Sequence, residues 1–120
     1  MNKGRKITGG KYLKNRKKKS YEIAGQRRII KLSEDKRKKQ RTRGGNEKIV
    51  LLSAKTINIL GKDRKMKKAE IKNVLETPSN RFLARQNIIT KGTILDTTLG
   101  KARVINRPTQ EGVLNGILIE

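Results

Sequence analysis

An all-β fold, a small closed barrel of about six strands preceded by a basic, extended N-terminal arm, is what this 120-residue sequence predicts. Three observations point there. Composition breaks near residue 48: residues 1–48 hold 19 Lys or Arg against 4 acids and only 10 apolar side chains, whereas residues 49–120 hold 13 against 6 with 29 apolar ones. The apolar residues of the second part come in short runs with the two-residue period of strands. Those runs are separated by Gly, Pro and Asn, and no long amphipathic helix competes with them. Closure suits so short a chain because it removes exposed strand edges.

Residues 1–45 form the expected arm, which cannot bury enough apolar surface to order itself and is expected to be largely disordered without RNA. Two stretches in it are almost purely cationic, residues 14–19 (KNRKKK) and residues 36–43 (KRKKQRTR). Between them Ile23, Ile29, Ile30 and Leu32 are compatible with a short helix or with docking anchors. The barrel domain is expected over residues 46–120. Residues 49–52 (IVLL) lead into residues 56–60, where Ile57 and Ile59 alternate with polar neighbours, and Gly61-Lys62-Asp63 is turn chemistry. A strand around Ala69, Ile71, Val74 and Leu75 stops at Thr77-Pro78-Ser79-Asn80. Residues 81–86 suit one helical turn. Residues 88–90 and 93–95 flank Gly92, Leu99-Gly100 turns the chain into residues 101–105, and a last strand covers residues 113–119.

The net charge of +22 works against any compact state that lacks a polyanion, and nucleic acid is the obvious one. With no Cys and no His, disulfides, thiolate and imidazole metal sites, Cys nucleophiles and His-based proton transfer are excluded. The basic start is not followed by an apolar stretch, so it does not read as a secretory signal, and the longest apolar runs are far short of the ~20 residues that span a bilayer. No membrane partner is expected. The carboxylates are scattered; a lone Asp96 is too little for a metal site, so neither metal, cofactor nor catalytic residue is expected, and the chain does not read as an enzyme.

Two segments set Gly pairs among cations: Arg5-Lys6-Ile7-Thr8-Gly9-Gly10-Lys11 and Arg41-Thr42-Arg43-Gly44-Gly45-Asn46. Such pairs let backbone approach a phosphate closely, or simply make a turn, and for Gly44-Gly45-Asn46 the turn reading is favoured. Neither is a Walker loop. Tyr12, Tyr21 and Phe82 are too few for a base-stacking platform, and Phe82 reads as core or loop packing. Phosphate and shape recognition of folded RNA is the mode implied. An architectural DNA-binding protein is the alternative, disfavoured because no apolar residue stands clearly at a basic hairpin tip. An RNA-cleaving enzyme is a third reading, disfavoured by the absence of clustered acids.

In this order along the chain, residues 5–10 (RKITGG), the basic positions Arg16, Lys17 and Lys19 up to Glu22, residues 43–46 (RGGN), residues 87–92 (NIITKG) and residues 107–116 (RPTQEGVLNG) resemble the S-eight-e type of small-subunit ribosomal protein found in archaea and eukaryotes. The likeness is end to end and archaeal in type, since the long additional segment of eukaryotic relatives is missing. One departure is Glu22-Ile23-Ala24-Gly25, where the family usually has one residue between Glu and Gly. The resemblance implies a six-stranded barrel with a basic extension, built into the cytoplasmic small ribosomal subunit as a structural component that supports translation. It implies small-subunit ribosomal RNA and neighbouring ribosomal proteins as partners, with no homo-oligomer. The RNA contacts it carries over are Arg5, Lys6, Thr8, Gly9, Gly10, Lys11, Arg16, Lys17, Lys18, Lys19, Arg41, Arg43, Gly44, Gly45 and Asn46, with Lys91 as a weaker candidate.

Overall fold

The computed structural model describes residues 4–119 other than Lys14 and Gln26. The first residue of the basic run 14–19, residues 1–3 of the arm and residue 120 of the barrel domain therefore lie outside the described residues. Nine strands are found among those described: β1 Ile30–Leu32, β2 Lys36–Arg41, β3 Glu47–Ala54, β4 Thr56–Leu60, β5 Met66–Glu76, β6 Ile88–Ile89, β7 Ile94–Thr97, β8 Gly100–Val104 and β9 Asn115–Leu118. Two short α-helices, α1 Arg81–Arg85 and α2 Pro108–Glu111, and two 3-10 turns, Ser20–Glu22 and Arg43–Gly45, complete the regular structure among the described residues. Strands β4, β5, β7, β8 and β9 close into a barrel, and β2, β3, β1 and β6 form a second sheet in that order.

The all-β barrel expected from the sequence is present, closed by five strands. The apolar pair Ile88-Ile89, which reads as barrel in the sequence, instead pairs antiparallel with Ile30 and Lys31 of β1 in the second sheet. The same strand β1 runs parallel to β3, pairing Lys31 with Ser53 and Leu32 with Ala54. Ile30 is fully buried and Leu32 packs against the core. Among the described residues of 23–35 there is no helix; Ile30 and Leu32 dock, while Ile23 and Ile29 stay exposed. Local periodicity could not show this, because a three-residue strand has no pattern of its own. β2 pairs antiparallel with β3 from Lys36 to Arg41, so the second basic run is an edge strand, and the expected boundary at residues 45/46 falls inside a hairpin.

Barrel strands turn alternate side chains inward, as a pleated strand must. Ile57 and Ile59 of β4, Leu95 of β7, and Ala102 and Val104 of β8 are buried together with Leu114. In β5 the inward parity changes between Ile71 and Val74. The pairing there shifts register, with Ile71 opposite Thr97 but Asn73 opposite Asp96, so Lys72 is an extra residue that swings Val74 back inside. Among the described residues no charged side chain is buried; Thr77, Thr93 and Thr97 are the buried polar ones. The core is small and mostly aliphatic.

The barrel closes where β9 lies parallel to β4, pairing Asn58 with Asn115, Ile59 with Gly116 and Leu60 with Ile117. A clasp prepares that strand. The Asn106 side-chain amide donates to the Glu111 carboxylate at 2.9 Å and to the Val113 carbonyl at 2.8 Å, and its oxygen accepts the Asn115 amide at 3.1 Å. Pro108 opens α2 and Gly112, at φ +71°, ends it. Much of the 107–116 block therefore shapes the entry to β9. A second clasp joins the two sheets: the Asp35 carboxylate accepts the Lys55 amide at 2.6 Å and the Thr56 hydroxyl at 2.8 Å, where β3 leaves one sheet and β4 enters the other. Partial burial raises the Asp35 pKa, but the Lys55 amide, Thr56 and the Arg37 charge together bring it below its ordinary value.

Upstream of β1 the chain leaves the body. Every described residue before Ile30 is exposed. The radius of gyration is 21.3 Å and the longest dimension 69 Å, against about 14 Å for the radius of a compact chain of this length.

Gly116 sits at the seam. A Cβ there would stand 2.9 Å from the Arg103 carbonyl oxygen and 3.0 Å from Ile57 Cδ1. Gly116→Ala is expected to lower stability by about 1–3 kcal/mol, the usual cost of overpacking. Thermal denaturation of the two proteins measures it; equal melting temperatures would mean that the β8–β9–β4 seam has slack.

Candidate nucleic-acid interface

Residues 5–11 form a miniature basic hairpin. Arg5 and Lys11 bridge antiparallel, the Lys6 amide donates to the Gly10 carbonyl at 2.8 Å, and the Gly9 amide donates to the Lys6 carbonyl at 2.8 Å. Gly9, at φ +78°, supplies the left-handed residue that closes a three-residue loop. Gly10 has no such need: a Cβ on it would meet only Thr8 Oγ1 at 3.8 Å and Lys6 Cδ at 4.0 Å. At the tip Ile7 is wholly exposed, and Lys6 Nζ lies 5.8 Å from the Tyr12 ring centroid. An apolar residue does therefore crown a basic hairpin, contrary to the sequence reading, which could not tell that residues 6–10 turn back on themselves.

Next come Arg16, Lys17, Lys18 and Lys19, all exposed and followed by a 3-10 turn at Ser20–Glu22. Arg16 is not a free cation. Its guanidinium grips both Glu22 carboxylate oxygens, at 2.8 and 2.7 Å. Glu22 also accepts the Lys19 amide at 3.0 Å. The Arg16 hydrogen bonds, then the Lys19 amide, hold the Glu22 pKa below its usual value, and Glu22 raises that of Arg16. Lys19 Nζ stands 5.8 Å from the Tyr21 ring centroid.

Arg41, Arg43, Gly44, Gly45 and Asn46 lie at the β2–β3 turn. The Thr42 amide and hydroxyl both donate to the Asn46 carbonyl, at 2.6 and 2.9 Å, with Gly44 and Gly45 at φ +83° and +81°. The segment is a hairpin turn, with Arg43 exposed on it. On β2 itself Lys36, Arg37, Lys38 and Lys39 are exposed along the open edge. Lysines on an edge strand also deter edge-to-edge pairing. These four belong to the second basic run, yet the family blocks did not single them out; their strand pairing makes them a row. Lys91 is exposed on the turn before β7 and, with Arg103, lines a cleft of about 400 Å³ whose other walls include Pro78, Ile105 and Ile117. Phe82 is 58% exposed on α1 rather than in the core, beneath Arg85 at 5.9 Å.

The sixteen candidate residues do not converge on a cavity. They occupy two turns, an exposed segment and the mouth of one cleft, and only two ion pairs form among the described residues, Arg16–Glu22 and Lys39–Glu47. No group of three acidic side chains comes together among those residues to hold a metal ion. An open, cationic and elongated surface of this kind can grip a polyanion by charge and shape.

Residues 1–119 match the family described as Ribosomal protein S8e. The chain is 44% identical over 117 residues to the small ribosomal subunit protein eS8 of Methanosarcina barkeri, covering 97% of this chain and 94% of that one. To the protein of the same name from Sulfolobus acidocaldarius it is 45% identical, covering 98% and 94%. To that of Nanoarchaeum equitans it is 44% identical, covering 97% and 92%.

If Arg16 serves phosphate, Glu22 competes for it. Glu22→Gln is expected to tighten binding to structured RNA and to steepen its salt dependence by about 0.7–0.9 in slope. The gain should vanish in the Arg16→Ala, Glu22→Gln double variant. An equal gain in the double variant would place Arg16 away from the RNA.

Proposed function

The chain belongs to the ribosomal protein S8e family, and from that premise we infer that it is a structural constituent of the small ribosomal subunit, binding folded ribosomal RNA through phosphate and shape contacts and so supporting translation. It is not an enzyme, its family being a structural component of the ribosome. Its place is the cytoplasmic small subunit, among ribosomal RNA and other ribosomal proteins. It enters as a single copy rather than as a homo-oligomer, because copies carrying +22 repel one another until RNA neutralises them.

One observation carries the RNA-binding reading. All described residues before Ile30 are exposed, and they carry nine cations against one acid. A solvated surface ordinarily mixes signs; this segment has almost no anions of its own, and its affinity for RNA follows from counterion release. The two Gly pairs support the contacts proposed at Arg5 to Lys11 and Arg41 to Asn46. In particular, the hairpin itself gives Gly10 no reason to lack a side chain, whereas close approach of a phosphate to its backbone does.

We divide the labour at the expected boundary by charge: residues 1–45 carry most phosphate contacts and residues 46–120 carry the barrel. Mechanically, β1 and β2 belong with the body, since both pair with β3. Residues upstream of β1 are expected to be mobile in the free protein and to order on RNA, offsetting the entropy cost with many charge-assisted contacts.

A chain beginning at Arg27 keeps every strand and loses nine of the 32 cations. It is expected to fold with an unchanged melting temperature, to show a salt dependence of RNA binding shallower by several units of slope, and to be poorly retained in small subunits washed at high salt. Occupancy equal to that of the full chain, measured in subunits purified from cells, would move the attachment onto the barrel face around Lys91, Arg103 and Arg107.

A further inference from the structure

The turn joining β4 and β5 repeats the geometry of the 5–11 hairpin. The Gly61 amide donates to the Lys65 carbonyl at 3.0 Å, and the Arg64 amide donates to the Gly61 carbonyl at 3.1 Å. These are the same two bonds that close residues 6–10, with the left-handed residue in the same place. There the residue is Gly9; here it is Arg64, at φ +56°. L-residues reach that region only against a steric cost, and an arginine has no local hydrogen bond to offset it as Asn or Asp has. Glycine is the natural occupant, and the 5–11 turn of this chain uses it. What Arg64 adds is a guanidinium at the tip.

Its surroundings say what that guanidinium meets. Residues 62–68 read KDRKMKK, so five of the thirteen cations of residues 49–120 fall within seven positions, beside a single acid. Arg64, Lys65, Lys67 and Lys68 are exposed, and none of them forms an ion pair with a described residue. Strands β4 and β5 hold the turn rigidly, with Leu60 paired to Met66 and Ile59 to Lys67 just beneath it. Unlike the arm, this element has little ordering entropy left to lose.

We propose that the β4–β5 hairpin is a further RNA-contacting element, and that Arg64 is kept at its strained tip so that its planar fork can engage the phosphate backbone. The proposal rests on the RNA-binding reading above and extends it to the barrel, to which sequence and family blocks assigned only Lys91.

The test uses the full chain and deproteinised small-subunit ribosomal RNA. Arg64→Gly and Arg64→Asn remove the charge with residues that accept the left-handed conformation. Both are expected to leave the melting temperature unchanged or raised, while weakening RNA binding roughly tenfold at low salt and making the salt slope shallower by about 0.9. Arg64→Lys keeps the charge and should retain most of the slope. Wild-type affinity and slope in both neutral variants would overturn the proposal. A melting temperature lowered in both would overturn it too, by giving Arg64 a structural role. Unchanged RNA binding with reduced occupancy in subunits would assign the hairpin to an acidic protein neighbour instead. Failure of the wild-type chain to bind the RNA would instead strike the underlying reading, independently of Arg64.

Discussion

Barrel closure is the constraint on which the rest of this molecule depends. β9 must lie against β4 and β8 closely enough that only a hydrogen fits at residue 116, with the Arg103 carbonyl on one side and Ile57 on the other. The Asn106 clasp delivers the strand at that spacing, and Asn58 bonds across the seam to Asn115 at 3.2 Å. Once shut, the five strands present no barrel edge and enclose a core without a charged residue among those described. That matters in a chain whose cations outnumber its acids by 22. Self-repulsion acts between surface groups screened by solvent, while the burial that opposes it is apolar and local.

Such a body can carry excess charge on projections without being pulled apart by them. The cations stand where backbone turns sharply or runs along an edge: the 5–11 hairpin, β2, the β2–β3 turn and the β4–β5 turn. The first and last are closed by the same pair of hydrogen bonds. Where paired strands anchor it, as β4 and β5 anchor the last, such a turn presents several cations on a backbone already held in shape, which lowers the entropy lost on binding. The segment upstream of β1 represents the opposite regime, with long reach and a larger ordering cost. Rigid tips and a long arm together suit a folded polyanion whose helices must be gripped from more than one side.

Much of this is legible in the sequence. The break near residue 48, the alternation around Ile57 and Ile59 and the turn at Gly61 give the barrel and its first hairpin. The Gly pairs among cations give both turns of the proposed interface. What escapes does so for physical reasons. Ile30 and Leu32 sit in a three-residue strand whose partners are 22 and nearly 60 positions away, and no local period records that. Lys72 is a bulge, visible only from its partner strand. The ion pair of Arg16 with Glu22 spans six positions across a turn and turns an expected contact into a contested one. Ile7 reads as a stray apolar residue until the bond from the Lys6 amide to Gly10 places it at a tip. The strain at Arg64 is a backbone property, which no side-chain pattern betrays.

The central claim is that the barrel and its cationic hairpin tips are a preformed scaffold, while the cationic segment before Ile30 takes its order from RNA. Amide hydrogen exchange of the full chain, free and bound to small-subunit ribosomal RNA, tests it most directly. The account predicts that amides of Ile57, Ile71 and Leu95 are strongly and equally protected in both states, and that those of residues 5–25 exchange freely until RNA is added and then become protected. Strong protection of residues 5–25 in the free protein, or no gain there on binding, would contradict it.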